Sequence, residues 1–411
     1  MIKNLTLEYY PKISEKKLRK SVKRIQENRN KWDDPFFFDT KSNLDIDQIK
    51  KDPKLVFGSQ INNVIILGTG GSIQTLLALK HLSKKTIYPI TSSRSLELQN
   101  CLEKTTPSDS VVIAISRGGE TLDVNSTVST FLKKGYKILG LSSTGSLNKI
   151  LKDMGSPIIN IPDLSGRYAG SVTNVGIVPA YIAGINIEEF LKGLTLGYTE
   201  FSNYSNNRAL EFAAYLYNLY IKDYKVIFAM PYSRNLEGAV SLWIQAISES
   251  SGKDGKGMLG TFQEAPLSQH SVLEYLLGGT KGVVAPVLLT VNQENSDMTL
   301  ESFIEYVNGK SAHTIINYQA DATFQALIQQ GVPITKISIL DPTEINMGIL
   351  VSFMLSSVYY FCLLIGVNWA NNPKVIIGKE ICNQALQDNL NSNKRKSIRE
   401  KIGNQIFADF F

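Results

Sequence analysis

Residues 64–72, VIILGTGGS, decide the fold class because a short apolar run passes directly into a glycine-rich turn. Val64 to Leu67 is apolar at every position, which is typical of a strand covered on both faces. Ile73 to Leu82 then has the apolar spacing of a helix. A strand, a tight turn and a helix make the first half of a βαβ unit. The stretch therefore predicts a parallel sheet flanked by helices.

The same alternation continues along the chain, with a helical pattern after most apolar runs. Further strands are predicted at Thr86–Ile90, Ser110–Ile115, Lys137–Leu141, Ile158–Ile161, Lys225–Met230, Val283–Val291 and Lys336–Leu340. A single crossover helix is predicted over Ile177–Gly193. These patterns predict an α/β fold with two mostly parallel sheets, each between layers of helices in a three-layer αβα sandwich.

The length of 411 residues exceeds what one core usually serves, so we predict two domains with arms at both ends. The predicted division is an N-terminal helical arm at 1–45, a first α/β domain at 46–199, a second at 200–370 and a C-terminal helical arm at 371–411.

Composition narrows the class of protein. The chain is 43% hydrophobic and 19% charged, with a net charge of +6, which describes a soluble globular protein. Basic residues do not form a stripe with interleaved aromatics, so we expect no nucleic-acid partner. Cys101, Cys362 and Cys382 are scattered and odd in number, which favours a reducing compartment without a disulfide framework or metal site. The N-terminus shows no apolar signal segment, so we expect a cytoplasmic protein.

Residues 347–367 are uncharged over 21 positions, which is long enough to cross a bilayer. No second such run accompanies them, and their Ser, Tyr and Cys content suits a packed interior. We predict a buried helix and no membrane; membrane attachment is the alternative.

Two loops at predicted strand ends have the composition of an anion site. GTGGS at 68–72 ends in Ser72, and SRGGET at 116–121 begins with Ser116 and ends with Thr121. Ligands of parallel sheets bind beyond the carboxyl ends of strands, where backbone N–H groups and helix starts attract anions. The two loops predict a phosphomonoester held by hydroxyls and amides without a metal.

The loops do not match the nucleotide-binding motifs. GTGGS lacks the Gly-Lys-Ser/Thr of a P-loop, and Ile73 stands where a dinucleotide fingerprint has its last glycine. Glu120 would repel a bound phosphate, so its carboxylate should face outward. No cofactor is therefore expected.

A third stretch, SESSGKDGKG at 248–257, closes a long helical pattern with a glycine-rich basic loop. It places Glu249 at a helix end, and His270 follows 21 positions later. A carboxylate so placed suits a proton-shuttling base. Lys253 and Lys256 have the character of a solvated turn, and no chemistry is assigned to them.

Several motifs in sequence order resemble the phosphoglucose isomerase family, whose members have two sugar isomerase domains. GTGGS resembles the family's Gly-x-Gly-Gly-Ser, and SRGGET its Ser-x-Ser-Gly-x-Thr loop. Further matches, between about residues 64 and 385, are Gly166-Arg167-Tyr168, Glu249-Ser250-Ser251-Gly252-Lys253, His270-Ser271 and Gly378-Lys379.

The resemblance implies a role for each matching residue. Glu249 would move a proton between C1 and C2 of the open-chain sugar, and Arg167 would stabilise the cis-enediol(ate). His270, supplied by the neighbouring subunit of a homodimer, would assist ring opening, with Lys379 near the ring oxygen. The implied substrate- and phosphate-binding residues are Gly71, Ser72, Ser116, Arg117, Gly118, Thr121 and Gln245.

The implied activity is the metal-free interconversion of glucose 6-phosphate and fructose 6-phosphate, in glycolysis and gluconeogenesis. One alternative is a bifunctional phosphoglucose/phosphomannose isomerase. Another is a non-catalytic sugar-phosphate sensor, which would keep Ser116 and Thr121 but would not need the acid–base residues. The chain departs from the family pattern at Gly118, which replaces a serine, and at Asn372, which replaces a glutamine.

Overall fold

The computed structural model describes residues 2–58 and 60–391, and for 389–391 the backbone only. The chain divides into two compact units, Met1–Ala370 and Asn371–Phe411. The strands all lie in the first unit. They are β1 Leu5–Tyr10, β2 Asn63–Leu67, β3 Thr86–Ile90, β4 Ser110–Ile115, β5 Lys137–Leu141, β6 Ile158–Ile159, β7 Val226–Pro231, β8 Leu259–Phe262, β9 Val284–Val291 and β10 Ile334–Ile339.

The α-helices cover most of the remaining described chain. They are α1 Glu15–Arg29, α2 Ile46–Lys51, α3 Gln74–Ala78, α4 Ser95–Lys104, α5 Leu122–Lys133, α6 Gly145–Asp153, α7 Gly166–Val172, α8 Asn174–Ile182, α9 Ile187–Phe201, α10 Arg208–Tyr220, α11 Glu237–Ser251, α12 Leu273–Gly278, α13 Ala312–Gln329, α14 Glu344–Ile365 and α15 Val375–Asn391. Among the described residues, α15 is the helix that belongs to the second unit.

The strands form two five-stranded sheets. The first has the order β3-β2-β4-β5-β6, and all its neighbouring strands are parallel. β2 and β4 lie side by side and are buried at every position, as their continuous apolar sequences require. GTGGS and SRGGET follow these two strands, so both loops leave the same edge of the sheet. The predicted α/β class with mostly parallel sheets is confirmed.

The second sheet has the order β1-β10-β9-β7-β8 and is parallel except for the pair β1–β10. β1 corrects the prediction of a purely helical arm at 1–45. Its sequence LTLEYY alternates, so Leu5 and Tyr9 are buried while Thr6 and Glu8 are exposed. The N-terminal segment therefore completes the edge of the second sheet before α1 begins.

The stretch Ile177–Gly193, predicted as a single crossover helix, is divided between two helices, α8 and α9. α8 ends at Ile182, and α9 begins after Asn186, whose side chain accepts a hydrogen bond from the Glu189 N–H. The predicted first-domain boundary at residue 199 lies inside α9. The predicted boundary at 370 coincides with the division between the two compact units. Residues 392–411 of the predicted C-terminal arm lie outside the described residues.

α14 is the helix predicted from the uncharged run. Within the described chain it is the one helix long and apolar enough to cross a membrane, and its most apolar window is completely buried inside the protein. It packs against α9, α10 and α11. Its apolar surface is thus the centre of a core, as predicted, and the feature that suggested membrane attachment is accounted for.

Candidate active site

The site is organised around an ion pair between two helices: α7, which follows the first sheet, and α11, which follows β7 of the second sheet. Arg167 on α7 donates from Nη1 to Oε1 of Glu249 on α11 at 2.8 Å. The arginine side chain is 4% exposed and that of the glutamate 21%, so the glutamate is the more accessible member of the pair. The structure thereby brings together two residues 82 positions apart that the sequence assigned to one reaction.

The guanidinium of Arg167 is fixed by further acceptors. Its Nε donates to Ser250 Oγ at 3.0 Å, and its Nη2 donates to the carbonyls of Trp369 and Ala370 at 3.3 and 2.8 Å. Because Nε, Nη1 and Nη2 each donate a hydrogen bond, the planar guanidinium cannot rotate, and its charge keeps one position beside the carboxylate.

Gln245 orients the other side of the Glu249 carboxylate. It lies one helical turn earlier on α11, and its Nε2 donates to Glu249 Oε2 at 3.2 Å. Its own Oε1 is buried and accepts no hydrogen bond from the residues that the structure describes. A buried acceptor without a partner costs free energy, so the structure retains this oxygen beside the carboxylate at some expense of stability.

The GTGGS turn lies directly against this pair. Gly70 has φ +60°, and a Cβ there would stand 3.2 Å from Gln245 Nε2. A Cβ on Gly71 would stand 2.6 Å from the backbone nitrogen of Arg167. Only glycines allow so close an approach. Ser72, at the end of the turn, donates from Oγ to the Thr69 carbonyl at 2.7 Å.

The SRGGET loop presents paired hydroxyls at the start of α5. Ser116 Oγ and Thr121 Oγ1 are 2.8 Å apart, and the Thr121 N–H donates to Ser116 Oγ at 3.3 Å. The pair lies at the start of the twelve-residue helix α5, and helix starts with free donors generally favour anions. Gly118 is exposed, and a Cβ there would meet nothing within 4 Å, so the family's serine would fit at this position.

The charged residues of the loop are bound elsewhere. Glu120 accepts from the Ser146 N–H at 2.7 Å and from its Oγ at 2.8 Å, which places the carboxylate at the first turn of α6. This contact explains how a carboxylate can neighbour an anion site. Arg117 forms an ion pair with Asp163 at 3.4 Å and donates to the Leu164 carbonyl.

His270 is not joined to this cluster by any contact among the described residues. His270 ends the 3-10 turn Leu267–His270 and is exposed, and no hydrogen bond or ion pair among the described residues links it to Glu249 or Arg167. Lys379 is exposed on α15 in the second unit. Their catalytic roles stay predictions.

Sequence reasoning gave no role to Lys253, which the structure leaves only partly exposed in the loop after α11. The side chain follows α11 and is partly buried, and this burial lowers its pKa to about 8. The available signal was its position, four residues after the base and inside the same motif. No cluster of three or more metal-ligating side chains occurs within residues 2–58 and 60–391.

Solved structures show which proteins share this fold. No family model matches the chain. The fold is similar to a hypothetical protein of Thermus thermophilus, with a TM-score of 0.79, 19% identity and coverage of 90% of this chain and 94% of that one. A glucose-6-phosphate isomerase of Chlamydia trachomatis matches with a TM-score of 0.77 and 15% identity over 100% of this chain and 93% of that one. The chain therefore shares its fold with these two proteins.

The sequence is similar to several bacterial proteins named glucose-6-phosphate isomerase. A glucose-6-phosphate isomerase of Mycoplasmopsis pulmonis is 26% identical over 421 residues, which cover 92% of this chain and 98% of the relative. That of Campylobacter jejuni is 23% identical over 79% of this chain and 86% of the relative. The match to Fusobacterium nucleatum is 28% identical over 56% of this chain, and the chain spans about half the length of that relative, 53%. The resemblance predicted from the motifs is confirmed.

Proposed function

We propose that this chain is an aldose–ketose isomerase that interconverts glucose 6-phosphate and fructose 6-phosphate through a cis-enediol(ate). The observation that carries the proposal is the 2.8 Å contact between Arg167 and Glu249, next to the GTGGS turn. A base and a fixed cation beside an anion site are what proton transfer next to a carbonyl requires. The similarity to curated glucose-6-phosphate isomerases supports this substrate.

In the proposed reaction, the Glu249 carboxylate removes the proton from C2 of the open-chain aldose. The C1=C2 double bond forms and the carbonyl electrons move to O1, so that negative charge develops next to Arg167. The carboxyl group then returns the proton to C1, the O2 proton passes to O1, and the ketose results. Arg167 suits the charged intermediate because its guanidinium stays protonated and needs no reorientation.

The phosphate would lie at the two loops. Ser116 and Thr121 would donate their hydroxyl hydrogens, and Ser72 would approach from the neighbouring strand end. Gly71, Arg117, Gly118 and Gln245 complete the proposed binding set; Arg117 would exchange its contacts with Asp163 and Leu164 for the phosphate.

The remaining parts of the proposal come from the resemblance. Ring opening would use His270 from the second subunit of a homodimer, and Lys379 would act at the ring oxygen. Neither a metal nor a cofactor would take part. We further propose a cytoplasmic enzyme of glycolysis and gluconeogenesis, which fractionation of the cells that make it would test.

A coupled assay that converts fructose 6-phosphate to glucose 6-phosphate tests the function. Glu249→Gln keeps the size of the side chain but removes the base, and the loss of one general base costs about 10²–10⁴-fold in kcat. The matched control is Glu200→Gln, because Glu200 forms a similarly buried ion pair with Arg208 at 2.7 Å. We expect full turnover from this control after correction for folded protein. Normal turnover by Glu249→Gln would refute the assignment of the base.

The two alternatives have their own outcomes. Turnover of mannose 6-phosphate at a comparable kcat/KM would identify a bifunctional phosphoglucose/phosphomannose isomerase. Binding of fructose 6-phosphate by the wild type without turnover would identify a sensor. The presence of Arg167 and Glu249 in direct contact favours an enzyme, because a sensor has no need of a base at this position.

A further inference from the structure

Two pairs of adjacent residues meet at the centre of the candidate site. Arg167 and Tyr168 lie on α7, and Glu249 and Ser250 lie on α11. Arg167 binds both residues of the second pair, through Nη1 to Glu249 and through Nε to Ser250 Oγ at 3.0 Å. The Tyr168 hydroxyl lies 3.3 Å from the same Ser250 oxygen. Ser250 is therefore in contact with both residues of α7, although it has no role in the proposed reaction.

The hydroxyl of Ser250 is enclosed, since the residue is 0% exposed. A serine hydroxyl has one hydrogen and two lone pairs, and a phenol can both donate and accept. Ser250 and Tyr168 can thus share one hydrogen bond while a lone pair of Ser250 remains for Arg167 Nε. Burial raises the pKa of the Tyr168 phenol, which therefore stays neutral. The contact at Nε joins a charged donor to a neutral acceptor, which is stronger than a bond between two neutral groups.

The position of Tyr168 is set by packed aromatic rings. Its ring stacks on that of Phe37, with the centroids 4.6 Å apart and an angle of 21° between the planes, and it meets Trp369 edge-on at 4.9 Å. All three rings are fully buried. Trp369 Nε1 in turn donates to the Asp33 carbonyl at 3.2 Å. Such packing leaves the phenol one position, so the Ser250 oxygen is itself held in place.

The contact at Nε controls the guanidinium differently from the other contacts. Nε is the nitrogen attached to the side-chain stem, whereas Nη1 and Nη2 lie at the outer edge. Without Ser250 Oγ this buried charged donor would lose its acceptor, which costs more than an ordinary lost hydrogen bond. The guanidinium would then tilt to give Nε–H another partner, and the carboxylate already beside it is Glu249. Such a tilt would displace the positive charge from its place next to the base.

We propose that Ser250 is a positioning residue of the active centre, whose buried hydroxyl fixes the plane of the Arg167 guanidinium against Glu249. This inference rests on the proposed function. In that reaction the negative charge of the cis-enediolate develops next to Arg167, and a fixed cation is effective because it needs no reorientation at that moment. Ser250 has no contact with the sugar in this scheme and acts through Arg167.

The experiment measures kcat and KM for fructose 6-phosphate in wild type, Ser250→Ala and Ser250→Cys, with circular dichroism to correct for folded protein. Alanine removes the acceptor, and cysteine fills nearly the same space with a thiol that accepts hydrogen bonds weakly. Both variants should lose about 10- to 100-fold in kcat with little change in KM, because the contact orients a charge that acts after the substrate has bound. Wild-type kcat in either variant would overturn the inference.

Ser251→Ala is the matched control. Ser251 is equally buried on the same helix, but its Oγ accepts from the Met258 N–H at 3.1 Å and so holds the loop after α11. Its loss should lower the free energy of unfolding and leave kcat per folded molecule unchanged. An equal loss of kcat in Ser251→Ala would show that any change at this end of the helix is harmful, and the specific role of Ser250 would be refuted.

A double-mutant cycle with Arg167→Met tests whether Ser250 acts through the arginine. Methionine has no donor for the Ser250 oxygen. In the Arg167→Met background, Ser250→Ala should therefore reduce kcat by less than about twofold. A larger further loss would mean that Ser250 acts independently of Arg167, contrary to the inference. An inactive wild type would instead refute the proposed isomerase, so the two failures are distinguishable.

Discussion

Arg167 differs from an ordinary buried arginine in the number of directions from which it is bound. Its nitrogens donate to Glu249, to Ser250 and to the carbonyls of Trp369 and Ala370, which come from separate parts of the chain. A lysine would preserve the charge but could not reproduce the planar fork. The position therefore requires arginine for geometry as well as for charge.

We expect Arg167→Lys to lower kcat by about 10²–10³-fold with a small change in KM, because the displaced charge no longer faces the developing enediolate. The freed carbonyls of Trp369 and Ala370 should also reduce the free energy of unfolding by about 1–3 kcal/mol. Steady-state kinetics and urea denaturation measure the two effects. Arg208→Lys, in the buried pair with Glu200, should lose stability but keep kcat. Wild-type kcat in Arg167→Lys would contradict the role.

The candidate site was predictable as separate motifs but not as an assembly. The loops at predicted strand ends identified Ser116 and Thr121, the predicted helix end identified Glu249, and the family resemblance identified Arg167. The contact between Arg167 and Glu249 joins positions 82 apart, and no spacing within either motif contains that information. Lys253 was given no role because a lysine among glycines is typical of a solvated turn, whereas the structure leaves its side chain only partly exposed.

At the level of elements, most strands were predictable, but the two edge strands of the second sheet, β1 and β8, were not. β3, β4 and β5 have their predicted limits, since each is bounded by turn residues. β8 has only four residues, contains a glycine and is partly exposed, so its local pattern is too weak to distinguish it from a loop. β1 was hidden by the basic helix after it, although its alternation was present.

α14 and α9 approach each other through glycines, which gives a prediction about packing. A Cβ on Gly348 of α14 would overlap the Phe190 carbonyl and stand 2.7 Å from the Leu194 nitrogen. Both atoms are backbone atoms of α9, so they cannot move aside as a side chain would. We expect Gly348→Ala to lower the free energy of unfolding by about 1–3 kcal/mol, which is the usual cost of overpacking.

Urea denaturation followed by circular dichroism measures this change. Gly378→Ala is the control, because Gly378 lies in α15 and a Cβ there meets nothing within 4 Å. Alanine at an open helical position should leave stability unchanged or raise it by up to about 1 kcal/mol. If Gly348→Ala behaved in the same way, the close contact between α9 and α14 would not be required for stability.

At the scale of the whole molecule, the exposed position of His270 matters most. Its turn is held to α13, because Gln269 Nε2 donates to the Gln319 carbonyl at 3.2 Å and to Thr323 Oγ1 at 2.6 Å. The histidine itself faces solvent at the end of that turn. A fixed backbone that presents an exposed histidine suits a residue that completes a site in a second copy of the chain.

Mixing two inactive variants tests this arrangement. Glu249→Gln lacks the base, and His270→Ala lacks the ring-opening residue, so each homodimer should have two incomplete sites. If His270 acts across the interface, a mixed dimer combines the intact Glu249 of one subunit with the intact His270 of the other in one of its two sites. Random reassociation makes half of the dimers mixed, so activity should return to about a quarter of the wild-type value.

Should His270 act within its own chain, each site in the mixture would still lack one residue and no activity would return. The assay must use the ring form of glucose 6-phosphate, because His270→Ala would otherwise be rescued by substrate that has already opened. Sedimentation of the mixture supplies the control, since a monomer at the assay concentration would rule out the shared site directly.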